Sequence, residues 1–318
     1  MSNNITSLVS ILIPLYNRGE MIVKTLDSIK QQTHRHWECI IVDDDSTDDS
    51  YAVVEAYIAD DTRFRLYRRP SHLQKGANNC RNYGFEQSKG YYINWFDSDD
   101  VMLPEFLATK LKHIEGFNLN LCGYYLSDEH FTVMSRYDVE PVADILREHI
   151  LWKLKIITNC VFFRRSFLIG KPLFDEKISR GQETELFTRL FQGLDPCEVG
   201  FITEPLFYYV QHEGSISNGM SSNSARHIES RLFVYRKALS LYPGDKEILQ
   251  KLYHGVFILA VYSKKHAHPA LLEACFDLLD QILGHLPGLK YRVPLLIIKS
   301  AIPKSTSLAY RLKDLFKI

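Results

Sequence analysis

Between residues 8 and 100 the chain repeats one rhythm: a short apolar run, a polar cluster, then a stretch of helical periodicity. The strand-like runs are residues 8–13 (LVSILI), 37–42 (WECIIV), 63–68 (RFRLYR, alternating basic with apolar) and 91–96. Residues 20–32, 48–59 and 76–88 carry the intervening helical patterns. In the first of them Ile22, Leu26 and Ile29 fall on one face. A β-α-β-α-β-α-β order with short connections dictates a parallel sheet with helices on both faces. In such sheets ligands sit beyond the carboxyl ends of the strands. Three of those ends carry polar clusters: Tyr16–Asn17–Arg18, Asp43–Asp44–Asp45 and Asp97–Ser98–Asp99. Topology predicts that they converge on one crevice.

The last strand, in residues 91–100 (YYINWFDSDD), ends with three carboxylates among four residues: Asp97, Asp99 and Asp100. That much like charge repels itself unless a cation offsets it. Oxygen ligands suit Mg²⁺ or Mn²⁺, which keep waters and share their shell with substrate phosphates. An isolated acidic turn exposed to water would be the ordinary alternative. Trp95 and the neighbouring tyrosines are expected in the core. Lys+Arg and Asp+Glu both total 38, so no global charge points to nucleic acid. Six scattered cysteines without a CxxC pair fit a reduced, cytoplasmic protein better than a disulfide scaffold or zinc site. The first ten residues lack a signal-peptide pattern, and no apolar run approaches the ~20 residues of a membrane-spanning helix.

Beyond Asp100 the rhythm changes. Residues 104–115 and 183–194 read as helices, and 117–126, 131–135 and 159–163 as strands. Phe201 and residues 207–210 read as two further short strands. From about residue 225 the pattern is helical: 226–241, 246–264 and 270–286. The best candidate linker is GMSSNS near residue 222. The expected division is a domain over 1–222, with a nucleotide-binding half to about 103 and an acceptor-binding half from 104, then a helical region over 223–318.

Taken together, VSILIPLYNR, WECIIVDDDSTDDS and KGANNCRNYGFEQSKGYYINWFDSDD resemble the family 2 glycosyltransferases of GT-A fold. The resemblance runs from about Ser7 to Ser217. It implies a Rossmann-like α/β domain with a mostly parallel central sheet, and inverting transfer of a sugar from a nucleotide sugar, a UDP-sugar above all. The acceptor would be a glycan or lipid-linked hydroxyl in surface polysaccharide or lipid-linked glycan synthesis. Carried over by position, Asp44 hydrogen-bonds the base, and Pro14, Tyr16 and Asn17 line the nucleotide pocket. Arg81 sits beside the nucleotide, Asp97 near the ribose and Asp99 on Mn²⁺ or Mg²⁺. Asp45 departs from the family's usual Gly or Asn, and Cys80 from its common Ala.

Residues 181–190, GQETELFTRL, resemble the family's G-E-D-x-E-x-x-x-R-L, which makes Glu183 the catalytic base; Gln182 replaces the preceding Glu. Phe187, Leu190 and Leu194 fall at i+4, i+7 and i+11 from Glu183, which predicts Glu183 on the buried stripe. Glu185 is expected on the opposite, exposed face, paired with Arg189. An ordinary first-turn Glu favoured by the helix dipole is the plainer alternative. YYVQHEGSIS at 208–217 resembles the family's Y-x-x-H-x-x-S-x-S loop and places His212 toward the diphosphate or metal.

Two rival readings stand beside this one. Asp43-x-Asp45-x-Thr47 matches the DxDxT of haloacid-dehalogenase-like phosphatases. Against it, a full strand–helix unit precedes the motif, and Asp99–Asp100 comes too early for that fold's acidic pair. The other rival is a nucleotide-sugar-binding protein without chemistry. The end of the chain, residues 284–318, holds seven Lys/Arg against Asp314, interleaved with Leu and Ile. Such a segment either lies peripherally on an anionic membrane face or packs back on the catalytic domain.

Overall fold

The computed structural model describes residues 7–212, 225–286, 288, 291–293 and 295–296. The candidate linker near 222 and most of the basic tail lie outside the described residues. The chain forms two compact units: one of Met1–Ile145, Leu154–Glu176 and Arg189–Ser215, the other of Leu146–Lys153, Lys177–Thr188 and Ile216–Ile318.

The first unit is built on a nine-stranded sheet. Strands β1 (Val9–Leu15), β2 (Trp37–Asp43), β3 (Phe64–Arg68) and β4 (Tyr92–Trp95) alternate with helices α1 (Gly19–Lys30), α2 (Ser50–Ile58) and α3 (Ala77–Gln87). They pair in parallel, in the order β3-β2-β1-β4. All seven residues of β1 and of β2 are buried, as continuous apolar strands covered on both faces must be. β1 runs one residue past Pro14. Leu12 O accepts from Phe96 N at 3.0 Å, so Pro14, two residues on, faces the same side. There the β4 ladder has already ended at Leu12–Trp95, and the missing N–H of proline leaves no gap. Gly84 in α3 faces the sheet, where a Cβ would stand at ordinary contact distance, 3.6 Å from Val42 and 3.7 Å from Leu12.

The second half of this sheet is mixed. After β5 (Val101–Met102) and α4 (Phe106–Lys112) come β6 (Leu119–Ser127), β7 (Val133–Tyr137), α5 (Ile145–Ile150), β8 (Val161–Arg164), α6 (Arg165–Leu168), α7 (Gln182–Phe191) and β9 (Val199–Val210). β8 pairs antiparallel to both β4 and β6, β9 runs parallel to β6, and β5 closes antiparallel on β9. Residues 199–210 form one strand where two short ones were expected. The break between the two apolar pieces is a register shift around Gly123, opposite Pro205, where proline cannot donate to the ladder. Phe96, Phe106, Phe207 and Tyr124 join the two halves through ring contacts of 5.6–6.2 Å.

A buried carboxylate ties the amino ends of the strands together. Glu38, 8% exposed, accepts from Ser10 Oγ at 2.6 Å, Lys89 N at 2.5 Å and Gly90 N at 3.1 Å, and pairs with Arg65. The chain turns into β4 at Gly90, where no side chain fits: a Cβ would meet Ser10 N at 2.6 Å.

In the second unit, α8 (Ala225–Leu241), α9 (Lys246–Lys265) and α10 (Pro269–His285) bear out the helical reading of this region. Asp245 caps α9 by accepting from Glu247 N and Ile248 N, both at 3.0 Å. Arg147 Nε holds Asp245 at 2.6 Å and Arg147 Nη2 holds Glu247 at 3.0 Å. Among the described residues no helix is long and apolar enough to cross a membrane.

Gly90→Ala forces a backbone–backbone separation and should destabilise the protein by about 1–3 kcal/mol, the usual range for overpacking. A thermal melt reads the loss; an unchanged melting temperature would show that the turn yields.

Candidate active site

The three polar strand ends do meet, and specific side chains lock them. Asn17 has φ +49° and Asp45 φ +57°, left-handed backbone that Asn and Asp tolerate better than most residues. The departure from Gly or Asn at position 45 therefore keeps the turn. Asn17 staples β1's loop to β2's: Thr47 N donates to Asn17 Oδ1 at 2.8 Å, and Asn17 N donates to Ser46 Oγ at 3.1 Å. Arg18 Nε reaches Asp99 Oδ2 at 3.4 Å, joining β1's loop to β4's. Pro14 is itself buried inside β1. Tyr16, 42% exposed, is the first side chain of this end open to solvent.

Asp44 is 5% exposed. Arg69 Nε donates to its Oδ1 at 2.6 Å and Gly76 N at 3.1 Å. The same guanidinium pairs with Asp45 and bonds Leu73 O. Sequence reasoning missed Arg69. Its position just past the carboxyl end of β3 was legible, but its reach back to Asp44 and Asp45 was not. Lys75 completes this corner, with Nζ 4.0 Å from the centre of the Tyr16 ring and 3.3 Å from Asp45 O.

The β4 end divides three carboxylates among three fates. Asp97 takes Arg81 Nη2 on Oδ1 at 2.7 Å; burial, offset in part by Arg81 and reinforced by Asp99, raises its pKa. Arg81 is 4% exposed, and its Nε and Nη1 are buried without a hydrogen bond among the described residues. Buried unpaired donors call for a partner, and an anionic oxygen is the natural one. Asp99 takes both of its partners on Oδ2, His212 Nε2 at 3.0 Å and Arg18. Burial works to raise its pKa, but the His212 hydrogen bond and the Arg18 charge outweigh it and hold it low.

Asp100 is fully buried, and both its oxygens are occupied: Oδ1 by Val210 N at 2.9 Å, Oδ2 by Asn159 Nδ2 at 2.5 Å. Burial, then the charges of Asp99 and Asp97, push its pKa well up. Asp100 ties the end of β9 to the turn. It is a structural group, and the fully buried Asn159 is its partner.

Among the described residues no group of three His, Cys, Asp or Glu could hold a metal ion alone. Asp99 and His212, joined at 3.0 Å, offer one carboxylate and one imidazole. That donor set fits Mn²⁺ or Mg²⁺ only if substrate oxygens complete the shell.

Helix α7 (Gln182–Phe191) begins in the second unit, after Gly181 at φ +73°. Glu183 is half-buried, with Gln182 Nε2 at 3.4 Å from its Oε1, and Phe187 and Leu190 below it are buried. The expectation for Glu185 fails. It is 1% exposed and pairs with Lys237 Nζ at 2.5 Å, while Arg189 binds the carbonyls of Pro172 and Leu173. Helical spacing assigns one buried face, but α8 covers the Glu185 side as well.

With this geometry in place, comparison with known proteins fixes the class. Residues 10–170 match the family described as Glycosyl transferase family 2. Glycosyltransferase GlyG of Streptococcus pneumoniae serotype 4 is 30% identical over 226 residues, 66% of this chain and 73% of that protein. The putative teichuronic acid biosynthesis glycosyltransferase TuaG of Bacillus subtilis is 26% identical over 238 residues, 72% of this chain and 88% of TuaG. Among solved structures, S. aureus TarS 1-349 in complex with UDP-GlcNAc superposes with a TM-score of 0.71 at 17% identity, over 97% of this chain and 91% of that one. The chain belongs to glycosyltransferase family 2 and has the GT-A fold. Membership sets aside the phosphatase reading of Asp43 and Asp45.

Glu185→Gln leaves Lys237 facing a neutral amide in a buried setting. The expected cost is about 1–3 kcal/mol of stability, read as a lowered melting temperature. A melt like that of the parent would mean the ion pair is not formed in solution.

Proposed function

We propose that this glycosyltransferase inverts: it moves a sugar from a UDP-sugar to an acceptor hydroxyl, with a divalent cation, in the making of a surface polysaccharide or lipid-linked glycan. The observation that carries the reading is the convergence of Tyr16, Asp44, Arg81, Asp97 and Asp99 at the carboxyl ends of β1, β2 and β4. The description of TuaG as a putative teichuronic acid biosynthesis glycosyltransferase and the UDP-GlcNAc in complex with TarS support the choice of pathway and donor.

In this reading Tyr16 flanks the base, and Asp44, aimed by Arg69 and Gly76 N, accepts a hydrogen bond from a base N–H such as that of uracil. Asn17 holds the loop that carries Tyr16, and Pro14 lies beneath it in the buried end of β1, one residue before Leu15. Asp97 meets the ribose, and the unpaired nitrogens of Arg81 meet anionic or ribose oxygens. Asp99 and His212 would hold Mn²⁺ or Mg²⁺, and the ion supplies charge neutralisation for the departing diphosphate. Glu183 removes the proton of the acceptor hydroxyl, whose oxygen attacks the sugar's C1 from the face opposite UDP. A positioned base contributes ~10²–10⁴-fold; orientation of the two substrates supplies much of the remainder. The basic tail, outside the described residues apart from its first few positions, would bring the enzyme to the inner membrane face.

Release of UDP from UDP-glucose, UDP-galactose or UDP-GlcNAc with Mn²⁺ present tests the reaction. No release from any nucleotide sugar, with binding intact, would leave only a binding protein. Asp99→Asn should abolish turnover and weaken UDP binding only when the cation is present; full activity in excess EDTA would remove the cation from the scheme. Glu183→Gln should lower transfer by about 10²-fold or more with donor affinity little changed. Full activity in that variant places the base elsewhere.

A further inference from the structure

A cleft opens beside Asp99 that none of the roles above uses. It is lined by Glu20 and Lys24 of α1, by Asp99, by Glu129 and Phe131 of the β6–β7 turn, and by Val210 at the end of β9. It encloses about 180 Å³, below the ~300–1,000 Å³ of pockets that take drug-sized ligands. One ring fits; a nucleotide does not. Of the residues assigned to the donor, Asp99 alone lines it, so an occupant meets the donor only at its diphosphate end.

The lining has the chemistry of a polyol site. Carboxylates accept from hydroxyls, an ammonium donates to ring oxygens, and an aromatic ring covers C–H faces. With Asp99 paired to Arg18 and His212, Glu20 and Glu129 against Lys24 leave the cleft acidic by one charge, which disfavours phosphate and uronate and favours neutral or amino sugars. The aromatic group is held at a conformational cost. Phe131 has φ +62°, a region that a bulky residue enters at roughly 1–3 kcal/mol. The turn enforces it. Asp128 Oδ1 accepts from His130 N at 2.9 Å and Thr132 N at 2.8 Å, and Phe131 N donates to Asp128 O at 3.0 Å. Lys24 clasps the turn to α1, with Nζ 3.2 Å from Glu129 O and 5.4 Å from the Phe131 ring centre. Tyr208 backs the ring at 5.6 Å.

We propose that this cleft is the acceptor subsite and takes the terminal pyranose of a neutral or amino-sugar glycan, with Phe131 as its platform and Glu20 and Glu129 as hydroxyl acceptors. The assignment rests on the glycosyltransferase reading above for its role, and on the cleft alone for its ligand. Saturation-transfer NMR with methyl β-D-glucoside, methyl β-D-galactoside and methyl N-acetyl-β-D-glucosaminide, on enzyme saturated with UDP and the diamagnetic Mg²⁺, tests it. At least one glycoside should show transfer that is lost in Phe131→Ala and in Glu129→Gln, with methyl β-D-glucuronide weaker than the glucoside. A UDP-induced rise in melting temperature, retained in each variant, reports an intact fold and a working nucleotide site. Transfer that survives both substitutions, transfer to none of the glycosides, or a glucuronide as strong as the glucoside overturns the proposal. Displacement of the glycosides by an intact UDP-sugar but not by UDP would assign the cleft to the donor's own sugar and likewise overturn it. Absence of UDP binding altogether would instead strike the donor reading.

Discussion

The architecture of the first unit depends on how it manages like charge at the end of β4. Two unit charges 4 Å apart repel by about 4 kcal/mol at the effective permittivity of a protein surface, and here three carboxylates crowd four residues. The fold answers by giving each a different partner from a different part of the chain. Asp97 has Arg81 from α3, Asp99 has Arg18 from β1's loop and His212 from beyond β9, and Asp100 has Val210 N and Asn159 Nδ2. Thr25 of α1 adds a hydrogen bond to Asp100 O at 2.8 Å. The acidic turn is thus the knot that gathers the parallel half of the sheet, the mixed half and the first helix. A region that is costly on its own becomes the point where distant segments are required to agree.

The parallel half was readable because its signals are local. Apolar runs of four to seven residues and 3.6-residue stripes need no knowledge of the rest of the chain, and α1, α2 and α3 lie within three residues of their expected limits. The site's outline followed from one topological rule applied to those strands. What escaped was tertiary. Arg69 carries no motif; its importance lies in reaching back to Asp44 and Asp45, which only the packed sheet reveals. Strand β9 read as two pieces because Pro205 interrupts its apolar pattern, while the ladder with β6 absorbs the fault in a bulge. Glu185 read as a surface residue because periodicity sees one helix at a time, and a helix covered on a second side by α8 has no fully wet face there.

The acidic residues of this unit separate by a simple count of occupied oxygens. Glu38 and Asp100 have partners on both carboxylate oxygens. Neither can receive a ligand without breaking a buried bond, and an unmade buried bond costs about 1–3 kcal/mol. Asp44 and Asp99 take two partners each, yet both land on a single oxygen, Oδ1 in the first and Oδ2 in the second. Asp97 takes Arg81 on Oδ1. A carboxylate aimed through one oxygen is oriented without being saturated, which is what a recognition group requires: the scaffold fixes its direction, and the second oxygen retains acceptor capacity. By this count Asp44, Asp97 and Asp99 keep an oxygen open for the donor proposed above, as Asp43 does beneath them with Ser46 N and Arg68 both on Oδ2, and Asp100, adjacent to Asp99 in sequence, falls with the scaffold. Sequence position alone could not divide Asp97, Asp99 and Asp100, because the three side chains of DSDD that bear a carboxyl are identical. The division arises from which oxygens the rest of the fold has already claimed.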